Sequence, residues 1–300
     1  MQLVFILFYA LLLFFNYKKV KETKDKFIII IIMKIFDSHT HLNQEDLFPN
    51  WESLLENFIN IRGQGLVNAW ANEAYNQNGI LIAKTAQKKH PNIFVKCILW
   101  WHPCDVERIG KDYNKSKKKL KEDILNNKEF VVGIWECWID LHYDEEWRTV
   151  ELQKNYLISQ CELAQELNLP IIIHSRDAFK ETYEILKKYQ DLTVYIHCRW
   201  YGPQEIKTML ETFKNLYIGF CGNITYKNAE NLRESIKILP INKLLIETDA
   251  PYLSPQWFRW TLNAPERVKD IGKYIWDLLN IDEKKLREQV EKNFFNLYTS

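Results

Sequence analysis

The sequence predicts a single α/β domain of the (β/α)8 TIM-barrel type, and three observations carry that prediction. From Met33 onward, short apolar runs alternate with segments of helical period, the pattern of parallel strands joined by crossover helices. Eight such units fit into residues 33–300, close to the roughly 250 residues that such a barrel needs. Polar residues of metal-binding type stand just past several of the runs, where a barrel opens its cleft at the carboxyl edge of the sheet. An open doubly wound sheet would alternate in the same way, but no Gly-rich phosphate loop follows any run.

In chain order the strands fall near 34–37, 64–69, 93–99, 130–135, 170–174, 193–197, 215–219 and 243–247. The first, Lys34-Ile35-Phe36, begins directly after Met33. Helices are expected near 51–61, 77–89, 104–126, 150–168, 178–189, 203–213, 228–237 and 264–279, with a closing helix at 283–297. In the fourth of these, Gln153, Tyr156, Leu157, Gln160, Cys161, Leu163, Ala164 and Leu167 form a stripe at three-to-four spacing, as a helix covering a sheet requires. The Lys-rich stretch Lys115 to Lys121 reads as a solvated helix face.

Residues 1–32 stand apart from this pattern. Leu3 to Phe15 is almost wholly apolar, five lysines (Lys18, Lys19, Lys21, Lys24, Lys26) follow, and Ile28 to Ile32 is a second apolar run. The first run is shorter than the roughly 20 residues of a spanning helix, and no positive charge precedes it as in a secretory signal. The expectation is that Met33 is the true start and 1–32 an upstream extension; a short anchor with its lysines in the cytoplasm is the alternative.

Charge and cysteine usage narrow the setting. With 40 basic and 39 acidic side chains the net charge is +1, so no global positive field marks a nucleic-acid binder, although a local basic groove is compatible with that total. The six cysteines are scattered without a CxxC pair, which suits reduced thiols in the cytoplasm and argues against a disulfide framework or a structural zinc knuckle.

The chemistry-bearing residues are His39 and His41 in Asp37-Ser38-His39-Thr40-His41, Glu136 after Phe130 to Ile134, His174 after Pro170 to Ile173, His197 after Thr193 to Ile196, and Asp249 after Leu244 to Ile246. Side chains alternate faces along an extended segment, so both imidazoles of His39 and His41 can reach one ion. Asp37 is placed to orient one of them through its second nitrogen. Glu136 ends a strand too apolar to be exposed, and a buried carboxylate needs a cation or strong donors. His174 or His197 alone would read as a satisfied core histidine, but two at one depth point to a site. Pro251 turns the chain after Asp249, and Glu247 either supports the ligands or assists catalysis. Four imidazoles and two carboxylates suit two adjacent divalent cations with Glu136 between them. Imidazole-rich ligation favours zinc, manganese, cobalt or iron over a magnesium site built from oxygen alone. Such a pair activates water for an in-line displacement, with Asp249 as proton acceptor.

These residues resemble the TatD family of metal-dependent deoxyribonucleases, among the amidohydrolase-like barrels. The matching blocks are Asp37 to Leu42, His102-Pro103, Glu136 to Asp140, Leu169 to Ala178, His197-Cys198, Glu247 to Tyr252, and Asn263 with Pro265, and they span essentially all of 33–300. The resemblance implies two divalent ions (zinc, manganese, magnesium or cobalt) held by His39, His41, Glu136, His174, His197 and Asp249. It makes Asp249 and Glu136 the catalytic carboxylates, and His102 and Arg176 candidates to hold a substrate phosphate. The implied activity is exonuclease-type hydrolysis of DNA by a cytoplasmic enzyme, with DNA as partner and neither a stable protein partner nor a membrane. Amide or ester hydrolysis, such as deacylation of a D-aminoacyl-tRNA, is the alternative; a degenerate binding module is the non-enzymatic one.

The chain departs from the family pattern at tryptophan. Trp70, one of Trp100 and Trp101, Trp135, Trp138, Trp200 and Trp260 fall at or beside motif positions, several where the family carries glycine, and the chain has 11 Trp against 9 Gly. Glycine alone averages about 7% of residues. The largest side chain in place of the smallest should overpack a close-set interior and strain backbone with positive φ. The expectation is that these positions are natively glycine, encoded by UGA in a bacterium that reads that codon as glycine. Tryptophans stacking on exposed bases are the alternative.

Overall fold

Eight strands form where the apolar runs predict them: β1 (Ile35–Thr40), β2 (Gly63–Trp70), β3 (Phe94–Leu99), β4 (Val131–Asp140), β5 (Ile171–Arg176), β6 (Val194–Ile196), β7 (Leu216–Phe220) and β8 (Leu244–Ile246). The structure, a computed structural model, describes residues 33–70, 73–99, 113–141, 150–198 and 201–299, with backbone alone at 70, 73, 113, 114, 116 and 135–138. Residues Ile35–Ser300 are one structural unit. The strands pair in sequence order, every pair parallel. Ile171, Ile172 and Ile173 are all fully buried, as strands covered on both faces must be.

The two ends of the sheet meet through backbone. Asp249 N–H donates to the His39 carbonyl at 3.0 Å and His41 N–H donates to the Ala250 carbonyl at 2.8 Å. These bonds draw β1 and the chain after β8 together, so the sheet nearly closes into the expected (β/α)8 barrel.

Outside it lie α1 (Trp51–Asn60), α2 (Glu73–Lys89), α3 (Tyr113–Asn126), α4 (Val150–Leu167), α5 (Phe179–Leu186), α6 (Pro203–Thr212), α7 (Glu230–Ile238), α8 (Val268–Leu279) and α9 (Glu283–Tyr298). The stripe on α4 is buried from Gln153 to Ala164, which is the face expected to cover the sheet. Helix α9 starts cleanly because the Asp282 carboxylate accepts the Lys285 N–H at 3.1 Å. Among the described residues no helix is long and apolar enough to cross a membrane.

Several boundaries differ from expectation: the second helix begins at Glu73 and the fifth ends at Leu186, and two further differences bear on the strands and the closing helices. β4 runs to Asp140 instead of stopping near residue 135, because Trp138, Ile139 and Asp140 stay in register with His174, Ser175 and Arg176 of β5. The helix expected from 264 begins at Val268, after a tight turn Pro265–Arg267 whose proline has no N–H to donate.

Candidate metal centre

The strand ends deliver the predicted histidines to one place. His39 lies inside β1 and His41 just past it, and both are buried. Their ring centroids are 4.9 Å apart. His197 follows β6, and its ring stacks on His39 with centroids 4.1 Å apart and planes 14° from parallel. His174 of β5 faces it, with Nδ1 3.2 Å from His197 Nε2. Asp249 follows β8 in a left-handed conformation, φ 56°, which aspartate is one of the few non-glycine residues to tolerate. That turn carries its carboxylate back over β1, where Oδ1 lies 3.0 Å from His41 Nε2 and 3.7 Å from His39 Nε2. His39, His197 and Asp249 each offer an atom within 4.8 Å of the others.

The donor chemistry fits a cation. His41 Nδ1 is 2.6 Å from the Ala69 carbonyl, which can only accept, so that nitrogen carries the hydrogen. In a neutral ring Nε2 then aims a lone pair at the Asp249 carboxylate, and two acceptors at this distance need a proton or a metal ion between them. The Ala69 carbonyl is the kind of outer partner that fixes a ligating imidazole. Burial first, then His197, His41 and His174, holds the His39 pKa well below the ordinary imidazole value, so the ring stays neutral with a lone pair to give.

Beneath the histidines is a layer of buried acid. Glu247 accepts from the Tyr195 hydroxyl and from the Cys198 N–H, and burial, followed by the nearby Asp249, pushes its pKa well above the carboxylate range. Tyr195 also lies 2.7 Å from Ser38 Oγ. Asp37 does not orient an imidazole as the sequence suggested. Its carboxylate accepts the Thr248 N–H at 2.8 Å and the Thr248 hydroxyl at 2.6 Å, tying β1 to the segment after β8.

Burial pushes Asp37 from 3.8 up to about 8 despite those bonds. A carboxyl whose folded pKa lies above its unfolded value contributes stability that is full below 3.8 and is lost as pH rises toward about 8. Glu247 acts in the same direction. His39, whose pKa is lowered from 6.5, acts in the opposite direction but only below the ordinary imidazole range, so above that range the metal-free protein should melt at a lower temperature near pH ~8 than near pH ~7. Added divalent ion should raise the midpoint more at the higher pH; a metal-free midpoint that climbs across this range would contradict the assignment.

The remaining predicted residues divide. Arg176 ends β5, partly buried, two residues beyond His174 and hence on the same strand face. The backbone of Glu136 lies within β4, but its side chain, like those of Trp70, Trp135 and Trp138, is outside the described residues, as are His102, Trp100, Trp101 and Trp200 entirely. Trp260 is 92% exposed and its φ is not left-handed, so the overpacking and strain expected of a tryptophan in place of glycine are absent there. Asp140 was not singled out from sequence; its Oδ2 is 3.7 Å from His174 Nε2. A strand that ends near residue 135 does not bring it beside β5, whereas the longer β4 does.

Comparison with known proteins agrees with this architecture. The family model for TatD-related DNases matches residues 36–299. The chain is 34% identical over 272 residues to an uncharacterized metal-dependent hydrolase of Mycoplasma genitalium, covering 89% of this chain and 99% of that protein. It is 31% identical over 267 residues to the uncharacterized metal-dependent hydrolase YabD of Bacillus subtilis, covering 88% and 98%. Among solved structures, the TatD homologue YjjV of Escherichia coli superposes with a TM-score of 0.78 at 22% identity, over 89% of this chain and 98% of that one, a likeness of fold.

Proposed function

The chain belongs to the TatD-related DNase family of metal-dependent hydrolases, and from that membership we propose that it hydrolyses phosphodiester bonds of DNA. The observation that carries the reading is the meeting of four imidazoles with Asp249 at one mouth of the barrel, with His41 Nε2 facing a carboxylate oxygen at 3.0 Å. In this reading His39, His41, Glu136, His174, His197 and Asp249 hold two divalent cations. Bound there, zinc, manganese, magnesium or cobalt supplies an activated water and neutralises charge on the phosphate.

The chain's own residues do the rest. Asp249 holds the water's proton on its carboxylate. His102 and Arg176 orient the phosphate, the planar guanidinium suiting two of its oxygens. Asp140 steadies the His174 ring from the side of β4, and Glu247 with Tyr195 fixes the backbone beside His197.

The test is hydrolysis by purified protein before and after chelation, with DNA, a model phosphodiester, an amide and a D-aminoacyl-tRNA in parallel. DNA cleavage should disappear on chelation and return with a divalent ion. Activity that survives chelation would sink the mechanism, and metal-dependent cleavage of the tRNA ester or the amide without DNA cleavage would replace the substrate.

A further inference from the structure

A second group of ligand-type side chains converges at the same barrel end and shares no residue with the imidazole cluster. Cys198 stands just past β6, Cys221 just past β7 and Glu247 just past β8, three successive strand ends. All three are buried, and each offers an atom within 4.8 Å of the others. The two sulfurs are 3.3 Å apart, and Asn223 Oδ1 lies 3.2 Å from Cys221 Sγ. Glycine at 219 makes the space: a Cβ there would fall 2.6 Å from Glu247 Oε2.

The donors are two thiols, a carboxylate and an amide oxygen, a set of four suited to tetrahedral coordination of a thiophilic d10 ion. Zn–S bonds of about 2.3 Å at tetrahedral angles put the sulfurs ~3.8 Å apart, so the pair needs to open by only about half an ångström. A disulfide, at about 2.0 Å, would require a larger movement in the other direction and would use neither Glu247 nor Asn223. Each Glu247 oxygen accepts one hydrogen bond, from Tyr195 or from the Cys198 backbone, and keeps a lone pair for an ion.

We propose that Cys198, Cys221 and Glu247, with Asn223 Oδ1, form a distinct site for one thiophilic divalent cation, Zn2+ or Cd2+, packed behind the histidine cluster. Binding exchanges protons for the ion: the two thiol protons leave as the two metal–sulfur bonds form, and the proton that the buried Glu247 carboxyl carries leaves as its oxygen takes up the ion. Because Cys198 adjoins His197, occupancy of this site pins the backbone of one imidazole in the neighbouring centre. The inference does not depend on DNA being the substrate.

The experiment titrates reduced, metal-stripped protein with Cd2+ alone, following thiolate-to-cadmium absorption in the ultraviolet and proton release. Alkylation of the thiols followed by peptide mass spectrometry shows which cysteines the ion protects. The expected result is a thiolate–cadmium band whose final intensity corresponds to two thiolates on one ion, proton release that accompanies the band, and protection of Cys198 and Cys221 together. The band should persist in Asp249→Asn and in Cys161→Ser, and should fall at least several-fold in Cys221→Ser and in Cys198→Ser. Absence of the band in the unaltered protein, protection of other cysteines, its survival in both serine variants, or its loss in Asp249→Asn would each overturn the proposal. Recovery of a Cys198–Cys221 disulfide with no cadmium uptake would do so too. The protection measurement uses the unaltered chain, so it decides the matter even where a serine variant fails to fold.

Discussion

Asp249→Asn should lower turnover on DNA by at least ~10²-fold, the scale of a positioned general base, while the barrel stays folded and part of the metal binding survives. Asparagine matches aspartate in shape and is one of the few residues at ease in the left-handed conformation that Asp249 adopts at φ 56°. The backbone bond from residue 249 to the His39 carbonyl is indifferent to the change. What disappears is the negative charge facing His41 and His39 and, in the proposed reaction, the oxygen that takes a proton. Glu136→Gln should behave differently. If that carboxylate spans two like-charged ions, its loss empties the site. Metal stoichiometry measured beside activity separates the two: an Asp249→Asn protein that has lost both ions, with a Glu136→Gln protein that retains them at near-normal turnover, would reverse the roles.

The parts of this site that were legible in the sequence are those set by local periodicity. His39 and His41 share a face because strands repeat every two residues, and His174 and His197 announce themselves as polar residues at the end of buried apolar runs. What stayed hidden depends on pairing between distant segments. β4 continues past Glu136 because β5 lies beside it, so nothing in the run Glu136 to Asp140 by itself reveals that Asp140 will face His174. Asp37 takes Thr248 as its partner across 211 residues of chain, a choice made by the near-closure of the barrel between β1 and β8. Cys198 and Cys221 form no CxxC spacing, and they become neighbours only because β6 and β7 pair in the sheet. Trp260 shows the opposite failure: its size argued for crowding, whereas its loop holds it in solvent.

Phe294→Ala should cost about 3–5 kcal/mol of stability, the range for emptying a large aromatic site in a core. Phe294 is fully buried on α9, its ring centroid 4.9 Å from Phe36 of β1 and 5.4 Å from Phe94 of β3. Between them β2 contributes Gly65, where a Cβ would fall 2.8 Å from the Phe294 ring. With glycine on one side and rings on the others, few atoms are free to collapse into the vacancy, which favours the upper part of that range. These contacts lie near the amino ends of the strands, whereas the histidines and Asp249 gather at the carboxyl ends, the division of labour usual in such barrels. Urea unfolding should therefore show the loss, while turnover per folded molecule stays close to that of the parent. One link runs from the helix toward the site: the Tyr298 hydroxyl donates to the Ser38 carbonyl at 2.8 Å, beside His39. If Phe294→Ala also depresses turnover of the folded fraction by an order of magnitude, α9 does not merely pack against β1 but sets its position through that bond. Tyr298→Phe, which removes the hydroxyl and leaves the ring, should then reproduce the catalytic loss without the full loss of stability.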